Sequence, residues 1–536
     1  MKTILQLRLL LSGVLLIGAL IVLAGSAQAA VVEPPPLPAA DAPASTDALG
    51  PSCRYGVAAL SQAHLKWMDP LAAGWFLNFG PNGDSSGRPE FAPVIRIRQT
   101  KQGCAYLNSF SVNPPLTPEG LGAAVLSRPG HMWIVGNEPD RGPNPESCTQ
   151  GVQDDTYPEV YARAYHDVYH YIKRLDPTAR VSNAGLVQVT PGRLQYLDKV
   201  WNTYKALYGT EWPVDVWNMH LYVLPELSLQ QNQSGQWVWL PNGIAGVAVG
   251  TDPALGIRDS NNDKNQCADP NVYCWAEHDD INEFKKQIVA MRTWMKGKGQ
   301  QAKPLMLSEF SLLYPYIVDS AGNCFADEFG NCFTPQRVRD FLNSSMAYLE
   351  TAVDPNLGYW RDGNRLVQRW LWFSIYNDGV GSASNLANAA NTTMTLPGQA
   401  FADRASSAPR YLNLFPAATY GVVAPPSSGL STATLFAEIR NIGANETSGK
   451  TTVSFYADAE LTQLIGSTKI VERLRGCEAN GGIAQVQWPG RPAGRWDYWV
   501  VVDSDQFWEE SNEADNVLKG SVVVGSKWTF LPQIRR

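Results

Sequence analysis

Between Tyr55 and about residue 405, short apolar runs of four to ten residues alternate with longer segments whose apolar positions recur at helical spacing. That alternation predicts parallel strands joined by helices. The strand candidates are YGVAAL (55–60), GWFLNF near 75, PVIRIR near 95, HMWIVG near 133, RVSNAGL near 183, VDVWNMHLYV near 218, PLMLSEF near 307 and RWLWFSIY near 372. Eight such strands are the number of a (β/α)8 barrel. From Tyr157 to Leu175, the residues Val160, Tyr161, Ala164, Tyr165, Val168, Tyr169 and Ile172 fall on one helical face, which must pack against the strands. Further helices are expected over 192–207, 281–296 and 335–351. Residues 224–280 form a Gly/Asn/Gln-rich insertion after the sixth strand, where long loops shape substrate sites.

After about residue 405 the pattern changes to short β-rich runs (STATLFAEIR, TTVSFYADA, GSTKIVERL, IAQVQWPG, RWDYWVVVD) separated by Gly/Asn/Asp turns. These predict an all-β, immunoglobulin-like sandwich. The expected architecture is therefore α/β followed by all-β, with an α/β unit over 51–405 and a sandwich over 406–536. No cluster of catalytic residue types lies in the second unit, so an α/β unit ending near 405 is expected to fold and act alone.

The N-terminus adds a compartment. Lys2 and Arg8 precede an apolar run from Leu9 to Leu23 and the small-residue tripeptide Ala27-Gln28-Ala29, the layout of a signal peptide over 1–29. An uncleaved membrane anchor is the alternative, and either reading exports the rest of the chain. Residues 30–50 are a Pro/Ala-rich linker. Loss of the leader removes two cations and no acid, so the formal charge of -7 becomes -9. Lys and Arg are dispersed and form no stripe that would track phosphates, which argues against nucleic acid as a partner. In an exported chain the eight cysteines point to disulfides. Cys267 with Cys274 and Cys324 with Cys332 bracket short turn-rich loops and are expected to pair, whereas the pairing of Cys53, Cys104, Cys148 and Cys477 is open. The 18 Trp and 21 Tyr supply flat amphipathic rings of the kind that stack on sugars.

Two carboxyl groups stand at strand ends: Glu138, in Gly136-Asn137-Glu138-Pro139-Asp140 after the fourth strand, and Glu309, in Pro304-Leu-Met-Leu-Ser-Glu309-Phe310 on the seventh. In a (β/α) barrel, the C-terminal strand ends converge on one mouth. A protonated acid and an ionised one facing each other there are what glycosidic-bond cleavage needs.

With these residues in view, the chain resembles the clan A glycoside hydrolases, whose fourth strand ends in Asn-Glu-Pro with the acid/base and whose seventh carries the nucleophilic Glu. Within the clan it looks most like the Asl-type glycosyl hydrolases related to endo-β-1,3-glucanases, through GWFLNFGP, EFAPVIRIR, IVGNEPD, VDVWNMHLY, PLMLSEF and RWLWF in that order. Strand alternation and the resemblance together imply that Asn137 meets the sugar 2-hydroxyl, that His220 and Tyr222 share a face into the site, that Trp372 forms a stacking floor, and that Asn78 reaches a hydroxyl. They also suggest Arg98, which shares a strand face with Arg96, as the cation that keeps Glu309 ionised. The sandwich, through RNIGANETSGKTTVSFYAD and VVVDSDQFWEESNEADN, resembles the cell-adhesion-related (CARDB) domain, which implies a binding or spacer module.

Three other signals carry less. Gly83-Asp84-Ser85-Ser86-Gly87 matches G-x-S-x-G but sits in a polar turn before another strand, not in a strand-to-helix elbow. His166 and His170 have zinc-ligand spacing without a third ligand. The run Asp259-x-Asn261-x-Asp263-x-Asn265 looks calcium-like but has Lys264 at the sixth loop position and Pro270 at the twelfth. The expectation is an exported retaining β-glycoside hydrolase acting on a β-glucan-like polysaccharide without a cofactor. Glu138 and Glu309 should lie about 5 to 5.5 Å apart, and Glu138 should be the carboxyl with the raised pKa. The alternative is an exported glycan-binding or adhesion protein with an idle barrel.

Overall fold

The computed structural model describes residues 50–83, 89–103, 105–141, 153–224, 227–231, 237–241, 278–313, 324, 331–378 and 381–525. The leader, Ser85, Cys104, Cys148, the Cys267–Cys274 pair and the 259–270 run lie outside them.

Every strand read from the apolar pattern is present, and the first unit also contains four further strands. Its strands are β1 (Tyr55–Ala58), β2 (Trp75–Leu77), β3 (Glu90–Phe91), β4 (Val94–Gln102), β5 (Ala105–Asn113), β6 (Met132–Val135), β7 (Arg180–Asn183), β8 (Trp217–Leu221), β9 (Leu227–Gln231), β10 (Trp237–Pro241), β11 (Leu305–Phe310) and β12 (Arg369–Trp372). One parallel sheet runs β3-β2-β1-β12-β11-β8, and a second sheet runs β5-β4-β6-β7, with β5 antiparallel to β4. The two meet twice. Ala92-Pro93 carries β3 straight into β4, and a parallel bridge joins Ser182 on β7 to Val216 just before β8. The core strands are buried along their whole length, as strands covered on both faces must be.

The helices are α1 (Ala123–Leu126), α2 (Pro158–Leu175), α3 (Pro191–Tyr208), α4 (Ile281–Gly297), α5 (Pro335–Thr351) and α6 (Leu396–Ser407). Four of them open with Pro in the first turn, where the missing N–H costs nothing, and Thr334, Thr395 and Asp280 cap their helices through side-chain oxygens. On α2 the face read from periodicity is the buried one. Its Tyr161 hydroxyl donates to Val135 O and accepts from Ala184 N, tying the helix to the ends of β6 and β7.

The second unit holds β13 (Leu414–Val423), β14 (Ser431–Asn441), β15 (Thr451–Tyr456), β16 (Leu464–Ile470), β17 (Gly482–Arg491), β18 (Gly494–Val502) and β19 (Val517–Val524). They form sheets β13-β14-β17 and β16-β15-β18-β19, packed through Leu435, Ile439, Phe455, Tyr498 and Val500. The sandwich docks on the N-terminal ends of the α/β strands. Cys53, just before β1, is disulfide-bonded to Cys477, a partner 424 residues away. Cys324 is bonded to Cys332 as expected, and no described cysteine is free.

Candidate functional site

Four side chains converge at the C-terminal ends of β6, β8 and β11. Glu138, His220, Tyr222 and Glu309 are all buried, with at most 6% of any of them exposed. His220 Nδ1 lies 3.2 Å from Glu138 Oε1, within hydrogen-bond reach, and 3.5 Å from Glu309 Oε2. Tyr222 donates its hydroxyl to Glu309 Oε1 at 2.6 Å. One oxygen of each carboxyl and the His220 nitrogen fall within 4.8 Å of one another. Among the described residues, these three side chains are the group of three or more candidate ligands close enough together to hold a metal ion. Two facing carboxyls at this separation can also divide acid and nucleophile duties at a single carbon.

The backbone around Glu138 is held in an uncommon shape. Glu138 itself has φ 44°, a left-handed conformation that costs a non-glycine residue roughly 1–3 kcal/mol and persists only where surroundings impose it. Its N–H donates to Gly185 O. Asp154, fully buried, accepts from Asn137 N (2.7 Å), Ile97 N (3.1 Å) and Arg96 Nε (2.6 Å), while its own N–H returns to Asn137 O. Asp140 pairs with buried Arg193 and accepts from Val187 N. Gly185 has no side chain because a Cβ there would stand 2.1 Å from His220 Cδ2. Asp154, Arg193 and Gly185 lie outside the motifs read from the sequence, whereas Asp140 falls within IVGNEPD and Arg96 within EFAPVIRIR.

Electrostatics differ from the sequence expectation. Burial works to raise the Glu138 carboxyl, but the His220 hydrogen bond and charge, with Arg141 and Arg193 behind them, hold it below the usual range. Burial pushes Glu309 up to about 7, against His220 and Tyr222 and with Glu138 adding to the rise. His220 is raised despite burial because it faces both carboxylates. The reversal has a simple cause: the imidazole donates its bond to Glu138.

Other expected positions fare unevenly. Asn137 lies beside Glu138, and its amide donates to Gln153 Oε1 at 2.6 Å. Asn78 is at the rim, but its amide is engaged in its own turn, accepting from Gly80 N and donating to Asn82 O. Trp372 must be corrected. It is wholly buried, donates to Ser384 O and packs on Phe310 and Phe341 of α5, so it offers no face to a ligand. Phe373, the next residue, turns the other way and meets Phe79 edge-on at 5.9 Å, both rings packing on the interior cluster from the carboxylate end. Arg98 stands on β4, and the cations that weigh most on Glu309 are His220 and Arg141. Arg141, half-exposed, reaches to 3.8 Å from Glu138 Oε2. The His166–His170 pair stacks within an aromatic group with Tyr204 and Tyr208.

Against known proteins, the CARDB family model matches residues 421–520. Those residues are a CARDB domain. Among solved structures, a curdlan-specific exo-β-1,3-glucanase of family GH128, subgroup III, from Blastomyces gilchristii is 13% identical with TM-score 0.36, covering 66% of this chain and 98% of its own. A glucosidase from Croceicoccus marinus is 11% identical with TM-score 0.34, covering 82% and 94%. A domain of a putative cell surface protein from Methanosarcina acetivorans is 22% identical with TM-score 0.17, covering 21% and 91%. No curated protein matches the sequence. No helix among the described residues is long and apolar enough to cross a membrane.

Proposed function

We propose that this chain is an exported retaining glycoside hydrolase that cleaves β-linked glucan-like polysaccharide by double displacement. The observation that carries the reading is the pair Glu138 and Glu309, oxygens within 4.8 Å, with His220 on the first and Tyr222 on the second. That separation suits direct attack by a carboxylate and leaves little room for an intervening water, which inverting pairs accommodate at roughly 6.5–9.5 Å. The strand pairings support a closed (β/α)8 barrel, since the two sheets join through Ala92-Pro93 and through Ser182–Val216.

In this mechanism, ionised Glu309 forms a bond to the anomeric carbon as the glycosidic C–O bond breaks. The leaving oxygen takes a proton from Glu138. In the free site we assign that proton to the hydrogen bond between His220 Nδ1 and Glu138 Oε1, so that the pair together serves as the acid. Once the glycosyl ester exists, the Glu309 charge is gone. Glu138, now a carboxylate, removes a proton from water, whose oxygen displaces Glu309 and restores the original anomeric configuration. Asn137 would meet the 2-hydroxyl, and Phe373 with Phe79 would offer the aromatic surface on which a sugar stacks.

The test is digestion of β-1,3, β-1,4 and mixed-linkage glucans by the full chain, with the first-formed anomer read by NMR. Product of retained configuration is expected. Glu309→Ala should abolish turnover, and Glu138→Ala should keep activity only on substrates with good leaving groups. Glucan binding without cleavage would favour the idle-barrel alternative, and an inverted product would overturn the double displacement.

A further inference from the structure

The CARDB domain sits at the opposite end of the strands from the carboxylates, and its loop 474–481 enters the α/β unit. Ala479 is fully buried and belongs to the same interior cluster as Met132, Ile134, Met306 and Leu371. Those residues lie on β6, β11 and β12, and β6 and β11 lead to Glu138 and carry Glu309. The neighbouring Glu478, 1% exposed, accepts from Arg180 Nη1 at the start of β7 (2.8 Å), from Arg440 of β14 (3.2 Å) and from Tyr359 (2.5 Å). Arg180 is as deeply buried as Glu478. Arg475 meets His131, the residue before β6, at 2.9 Å. Gly130 and Gly476 are glycines because a Cβ would strike Gly481 O at 2.8 Å in the first case, and Gly443 O and Cys53 Sγ in the second.

We infer that the CARDB domain has a structural function toward the catalytic unit: loop 474–481 is the floor of its interior, and the two units fold as one cooperative body. A tethered binding module would present an exposed, polar contact that could separate at small cost. Here separation leaves the buried Arg180 guanidinium without its carboxylate and opens the interior cluster to water, both strongly unfavourable. The Cys53–Cys477 disulfide, which ties this loop to the residue two before β1, removes the freedom of the two units to part. This inference is independent of the proposed reaction, and it replaces the expectation that a chain ending near 405 stands alone.

Differential scanning calorimetry of the full chain tests it. One transition is expected, with calorimetric and van't Hoff enthalpies in agreement. Glu478→Gln, and separately Cys53→Ser with Cys477→Ser, should lower that single Tm by several degrees. Should Glu478→Gln fail to accumulate, reduction of the wild-type protein with dithiothreitol gives the same readout. Two independent transitions, or one that neither change nor reduction moves, would overturn the inference.

Discussion

The Tyr222 hydroxyl reaches Glu309 Oε1 at 2.6 Å from one residue beyond the end of β8, and both side chains are buried. A phenol donating to a carboxylate favours its charged form, opposing the burial that pushes Glu309 up. Tyr222→Phe removes the donor while keeping the ring. Charge-assisted hydrogen bonds contribute about 1.5–3 kcal/mol, so kcat/KM should fall roughly 10- to 100-fold at neutral pH with the fold retained. Unchanged kinetics would remove Tyr222 from the site's working set.

The pH profile should show an acid limb near 7. Glu309 is raised to about 7, and under the proposed double displacement it must be ionised to attack, so activity should be lost as pH falls through that value and recover as pH rises through it. On the alkaline side, activity falls when the proton shared by His220 and Glu138 is lost. In Tyr222→Phe the acid limb should move to higher pH, because the carboxylate has lost a donor. An acid limb near 4, unmoved by the substitution, would show that Glu309 is not the group being titrated.

Much of this architecture is written in the apolar pattern, because strands buried on both faces leave continuous runs and α2 leaves a 3.6-residue stripe. The carboxylates are legible because each follows such a run. Trp372 was misplaced because RWLWF is apolar on both faces, so the run does not say which of Trp372 and Phe373 faces inward. The place of Arg98 is not legible, because a shared strand face does not reveal which strand lies across the mouth. The β4–β5 hairpin lacks an apolar run on β5. Asp154, Asp140 and Gly185 act by position alone, and the Cys53–Cys477 bond spans 424 residues, a separation over which sequence spacing carries no pairing information.

Asp154 should behave as a positioning residue. Its carboxylate holds Asn137 N, Ile97 N and Arg96 at once, which fixes the turn that presents Glu138. Asp154→Asn keeps the shape but loses the charge opposite Arg96 and offers only one acceptor oxygen. We expect kcat to fall roughly tenfold or more with KM little changed, since remote misplacement of a reacting group acts on the transition state. Equal losses in substrate affinity and kcat would indicate general loosening instead.

Gly185 offers the sharpest geometric test. A Cβ there would lie 2.1 Å from His220 Cδ2 and 2.4 Å from Nε2, well inside van der Waals contact. The imidazole cannot retreat freely, because it is 2% exposed and its Nδ1 faces both carboxyls. The Gly185 backbone cannot retreat either, since its carbonyl accepts from Glu138 N. Gly185→Ala must therefore displace His220, Glu138 or both by a sizeable fraction of an ångström. Overpacking of this kind costs about 1–3 kcal/mol of stability, while a 1 Å misplacement of catalytic groups can cost about 10²-fold in rate. The expected result is a folded protein with a modestly lowered Tm, kcat/KM reduced about a hundredfold, and a displaced alkaline limb in its pH profile because the His220–Glu138 bond has changed. Wild-type activity in Gly185→Ala would mean that His220 has room to move, and that the shared proton assigned to its bond with Glu138 plays no part in turnover.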